Sequence, residues 1–135
     1  MKQIAVFVIS LMMMSMPVYS NETSADVNAA AARLMPKVIQ WRRHIHQFPE
    51  LSNREVKTAK YVEDHLRALG LEVRTGIAKT GVVGILKGGQ PGPVIGLRAD
   101  MDALPVTERN SLPFRSRETA EYNGQEVGVM HACGH

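Results

Sequence analysis

From residue 35 onward the apolar positions follow two periods in turn. Val38, Trp41, Ile45 and Phe48 recur at three- and four-residue intervals, which puts them on one face of a helix predicted from Met35 to Gln47. Pro36 is tolerated in its first turn, where an N–H has no intrahelical partner to lose, and Pro49 ends it. Val56, Ala59, Val62, Leu66 and Leu69 form a second stripe and predict a second helix, with Gly70 as its stop. Ser52 and Glu55 have the spacing of a capping box for that helix. Beyond Gly70 the pattern changes to short, β-branched or apolar runs divided by Gly and Pro. Strands are predicted over Leu71–Thr75, Val82–Leu86, Val94–Ala99 and Val127–Met130, with Gly88 to Pro93 as a turn. Val94-Ile95-Gly96-Leu97 is apolar on both faces, the pattern of a strand buried between helix layers. Helices packed on such a sheet make an α/β fold. No internal repeat or low-complexity tract interrupts the chain.

The first twenty residues have a different grammar. Lys2 supplies a positive start, Ile4 to Met14 form an apolar run broken by Ser10, and Pro17 precedes Val18-Tyr19-Ser20. This is the pattern of a secretory signal peptide with cleavage after Ser20, so export to a periplasmic or extracellular space is expected. The run is short for a membrane span, and membrane association is expected only if the leader stays uncleaved. Residues 21–34 are polar and Ala-rich and read as a loosely ordered start, leaving 35–135 as the structured domain.

Composition narrows the partners. A net charge of +3 over 135 residues is slight, and Arg42-Arg43 is the only adjacent basic pair. That excludes an electrostatic footprint for nucleic acid. One cysteine, Cys133, cannot pair within the chain, although exported proteins normally pair their thiols. It is an intermolecular partner, a buried inert thiol or a metal ligand.

Two segments carry candidate chemistry. Arg98-Ala99-Asp100-Met101-Asp102 continues from a predicted strand, and carboxylates two apart point the same way in extended chain. Such a pair needs a cation or a shared proton. The alternative is a turn in which one Asp caps the backbone and the other pairs with Arg98. His131-Ala132-Cys133-Gly134-His135 follows another predicted strand. Thiolate and imidazole are both good ligands for zinc-like ions, and Gly134 lets the two side chains converge. His44 and His46, at i and i+2 on a helix, face different ways and cannot chelate one ion, so structural or substrate-edge roles fit them better. His65 reads as an inert residue on the exposed side of the second helix.

Four motifs then stand in order: Trp41 to Ser52 (Trp-Arg-Arg-x-Ile-His-Gln-x-Pro-Glu-Leu-Ser), Thr80 to Gly84, Arg98 to Pro105, and Met130 to His135. Together they resemble the amidohydrolase branch of the metal-dependent aminoacylase and carboxypeptidase family, which includes hippurate hydrolases, N-acyl-amino-acid amidohydrolases and auxin-conjugate hydrolases. The resemblance covers residues 38–135. It implies the N-terminal part of a zinc-peptidase-like catalytic domain, with helices packed on a mixed sheet and the lid or dimerisation domain absent from this stretch. It implies two divalent ions, zinc or manganese, with Cys133 and His135 as ligands and Asp102 as the Asp that supports the catalytic centre. Asp100 stands where the wider family has a metal-binding His, and Asp100 and His131 are assigned to backing the ligands. The implied reaction is hydrolysis of the amide bond of a small N-acyl amino acid by metal-activated water, by an enzyme that forms a homodimer at full length. A dipeptidase or carboxypeptidase, or a non-catalytic truncated product, is the alternative. The general-base Glu and the later ligands of the family follow the point reached by His135, so this stretch alone is expected to be inactive.

Overall fold

The computed structural model describes residues 24–133; the signal-peptide reading of residues 1–20 and the ligand reading of His135 fall outside them. Contacts divide the chain into two units, with the boundary between Leu34 and Met35. In the first, residues 24–34 are helical and almost wholly exposed. This corrects the loosely ordered start expected from sequence. Ala29 to Ala32 are the strongest helix formers, and Asp26 lies in the first turn, where a negative charge faces the unpaired N–H groups.

The second unit contains the elements that position the site. Helix α1 (Ser24–Gln47) ends with His44 and His46 in its last turn, and α2 (Val56–Ala68) follows. The seam between α2 and the end of α1 is aromatic. Trp41 meets His65 edge-on at 4.6 Å between ring centres, and His44 stacks on Tyr61 at 4.3 Å. His65 is therefore a packing residue, half-buried against Trp41, and not an inert surface group.

The predicted capping box does not form. Helix α2 begins at Val56, four residues beyond Ser52, and its free N–H groups are met from outside by Glu50. The Glu50 carboxylate accepts from Lys57 N, Thr58 N and Thr58 Oγ1 at 3.1, 2.8 and 2.9 Å. Glu55 instead accepts from Asn53 N and Thr80 Oγ1. A carboxylate at a helix N-terminus gains from the aligned peptide dipoles as well as from its hydrogen bonds.

Strands β1 (Glu72–Ile77) and β2 (Gly81–Ile85) form an antiparallel hairpin, in register Glu72 with Ile85 and Arg74 with Val83, packed on α2. Strands β3 (Thr119–Tyr122) and β4 (Gln125–Gly128) form a second. Its turn, Asn123-Gly124, has φ of 54° and 76°, the left-handed pair that a two-residue hairpin requires. Sequence reading missed β3 although the Asn-Gly dipeptide marks this hairpin. It also placed the last strand two residues late, since β4 ends at Gly128 and Met130 makes a single bridge.

The predicted strand over Val94–Ala99 is not formed. Val94, Ile95 and Leu97 are 99%, 80% and 97% exposed. A strand apolar on both faces needs neighbours at its edges and layers above and below, and no described residues lie alongside to provide them. The β structure among the described residues is thus two antiparallel hairpins. No helix among these residues is long and apolar enough to cross a membrane.

Candidate metal centre

Three buried residues from distant parts of the chain hold the candidate site together. Leu51, Ala103 and Val129 form the core cluster, each at most 5% exposed. Leu51 and Ala103 make a parallel bridge, and Ala103 N donates to Glu50 O at 2.8 Å. Leu104 and Met130 make an antiparallel bridge with both hydrogen bonds, at 3.0 and 3.1 Å. Two candidate motifs therefore meet at one point.

The direction of that second bridge matters for chemistry. In an antiparallel pair, the chain running back from one residue lies beside the chain running forward from its partner. Asp102, two before Leu104, and Ala132, two after Met130, leave the bridge on the same side, with Cys133 next in line. Asp102 is half-buried and Cys133 is exposed. Among the described residues, solvent and ions can reach the Cys133 sulfur.

Asp100 does not join Asp102 in a free carboxylate pair. Arg98 donates to its Oδ1 through Nε and Nη2, at 3.0 and 2.8 Å, so the turn alternative describes this residue. His131 is half-buried, 6.5 Å from His46 between ring centres. Among the described residues no group of three or more His, Cys, Asp or Glu is gathered as a metal site. The donors present, a reachable thiol and a half-buried carboxylate on one side of a bridge, nevertheless suit a zinc-like ion.

One buried polar cluster escaped the sequence reading. Glu108, with its side chain 1% exposed, accepts from His46 Nε2 at 2.9 Å, Ser116 N and Asn110 Nδ2. Burial alone would raise its pKa, but the hydrogen bonds from His46, Ser116 and Asn110 outweigh burial together and hold it below the ordinary value. Its only signal in the sequence is an acidic residue in an otherwise unpatterned run between Pro105 and Pro113.

The Asp-bearing and His-x-Cys segments thus meet at one bridge, in a fold whose described residues form two helices and two antiparallel hairpins. The model of peptidase family M20/M25/M40 matches residues 96–135. An N-acyl-L-amino acid amidohydrolase of Geobacillus stearothermophilus is 42% identical over 84% of this chain and 28% of its own. Hippurate hydrolase of Campylobacter jejuni is 50% identical over 70% of this chain and 22% of its own. Thermostable carboxypeptidase 1 of Saccharolobus solfataricus is 50% identical over 73% and 23%. Among solved structures, a dinuclear metal-binding M20 peptidase of Bacillus subtilis superposes with a TM-score of 0.65 at 40% identity, over 76% of this chain and 27% of that one. Over residues 96–135 the chain matches the M20 peptidase family, and the relatives named extend that similarity over 70–84% of the chain. It spans about a quarter of the length of the curated relatives it matches.

Proposed function

We propose that the protein carrying this sequence is a metal-dependent amidohydrolase that cleaves N-acyl amino acids into a carboxylic acid and a free amino acid. The observation that carries the reading is the Leu104–Met130 bridge, which leaves Asp102 and the Cys133 segment on one side. The amidohydrolase and hippurate hydrolase relatives support the substrate class, and the dinuclear M20 peptidase supports a two-ion centre.

In this reading Cys133, as thiolate, and His135, as neutral imidazole, hold metal, while Asp102 orients the centre through its half-buried carboxylate. Divalent ions bound there, zinc or manganese, supply Lewis acidity that polarises an amide carbonyl and makes water a stronger acid. The Arg98-bound Asp100 keeps its charge compensated beside the centre and does not compete for the ion. Export is part of the proposal and rests on Lys2, the Ile4–Met14 run and the Ser20 cleavage pattern; N-terminal sequencing of the mature protein tests it.

The decisive assay compares hippurate, N-acetyl amino acids and dipeptides side by side, before and after chelation. Acyl amino acids are expected to be preferred at least tenfold in kcat/KM, with activity lost on chelation and restored by zinc or manganese. Cys133→Ala is expected to abolish metal-dependent turnover. Full activity with unchanged metal content in that variant would sink the assignment. A second reading, cleavage of peptides, is favoured by the 50% identity to a thermostable carboxypeptidase, and a dominant dipeptide signal would establish it.

A further inference from the structure

Glu108 lies in a loop that contributes no residue to the candidate centre, yet its side chain is only 1% exposed and bonded to His46. An ionised carboxylate out of water is costly unless its lone pairs are filled and a counter-charge is near. A side chain retained there at 1% exposure, with hydrogen bonds from three directions, has a geometric task.

The contacts trace that task. His46 comes from the last turn of α1, and Ser116 from the far end of the loop. Ser116 is itself buried, and its Oγ donates to Val129 O at 2.6 Å while accepting from Glu118 N at 3.2 Å. Val129 N in turn donates to Glu118 O at 2.9 Å. The next residue, Met130, makes the bridge to Leu104. One carboxylate thus ties the helix end to the segment that runs into His131, Ala132 and Cys133. The surroundings are tight: Arg43 lies over the Phe114 ring at 4.7 Å, and Phe114 meets His46 edge-on.

We propose that Glu108 is a positioning residue that, through His46 on one side and Ser116 on the other, fixes the Val129–Cys133 segment against the Asp102 segment. Its relevance to catalysis rests on the assignment of Cys133 as a metal ligand; the positioning itself does not. Without the carboxylate, Ser116 N loses its acceptor, and the 116–118 turn that clamps both backbone groups of Val129 is freed at one end.

Amide hydrogen exchange on the full chain tests the positioning directly, because Val129, Met130 and Leu104 all donate through the network. In Glu108→Ala these three amides are expected to exchange at least tenfold faster. Amides of α2 and the β1–β2 hairpin are expected to stay within twofold, a split that loss of global stability would not produce. Glu108→Gln keeps an acceptor for Ser116 N and is expected to restore protection to within about threefold of the parent. Ser116→Ala, which leaves Glu108 and His46 in place, is expected to loosen Val129 and Met130 in the same way if the alanine variant at 108 does not fold. Uniform acceleration across the chain, or unchanged exchange at Val129 and Met130, overturns the proposal. Cobalt(II) added to the same samples reads Cys133 separately through its thiolate charge-transfer band. Local loosening in Glu108→Ala without such a band in the parent would support the positioning role and remove the ligand assignment.

Discussion

Replacing Gly128 by alanine probes how closely β4 must approach the loop that precedes it. A Cβ built on Gly128 would lie 2.6 Å from Thr107 Oγ1, 2.8 Å from Thr107 Cα and 3.0 Å from Thr107 Cβ. Two of these atoms cannot rotate away, so backbone has to move. Gly128 has no positive φ, so its role is space and not conformation. Replacing a glycine of ordinary conformation by alanine normally stabilises by about 0.4–1 kcal/mol, through the unfolded chain. Overpacking of a fitted contact costs about 1–3 kcal/mol. The contact wins, and a net loss of roughly 0.5–2 kcal/mol is expected. Urea unfolding at 25 °C, followed by far-UV circular dichroism and by Trp41 fluorescence, measures it. Gly89→Ala is the control, since a Cβ there meets nothing within 4 Å and no positive φ is involved. That variant is expected to match or exceed the parent. A Gly128→Ala chain as stable as Gly89→Ala would refute the argument, because the only difference invoked is the approach to Thr107. Because Met130 follows two residues later, the same variant is expected to weaken the Leu104–Met130 bridge and with it the candidate centre.

Two other expectations follow from charges. Glu108 is held below its ordinary pKa of 4.5, so its stabilisation is fully present above that value and is lost as pH falls through the lower, folded value. The stability gap between the parent and Glu108→Gln is therefore expected to narrow as pH is taken from 7 to 3. A gap that is constant down to pH 3 in thermal melts counts against the ionised, bonded carboxylate. Glu50→Ala removes the acceptor for Lys57 N, Thr58 N and the buried Thr58 hydroxyl, and is expected to cost about 1–3 kcal/mol with loss of helical signal from α2. Ser52→Ala, by contrast, is expected to leave stability unchanged within about 0.5 kcal/mol, since Ser52 does not cap the helix.

The sequence by itself determined the elements whose signals are local. The helical segments of the second unit and the strands β1 and β2, though not their pairing, follow from apolar period and from Gly and Pro placement, because those patterns report which face of an element can leave water. It also carried the resemblance to a family, through the motifs Arg98–Pro105 and Met130–His135. Tertiary structure decided which groups satisfy which. Glu50 caps α2 from outside, where Ser52 and Glu55 had the right spacing for a local box, because a carboxylate arriving from the preceding turn reaches two N–H groups and a hydroxyl at once. The apolar Val94–Ala99 run stays unpaired, because strand formation depends on neighbours that a run cannot supply for itself. Only the fold joined the Arg98–Pro105 and Met130–His135 segments, through a Leu104–Met130 bridge between residues far apart in sequence. Only the fold made Glu108 significant. A buried charge is defined by what surrounds it, and His46 is brought to Glu108 from a distant helix by packing that no spacing along the chain encodes.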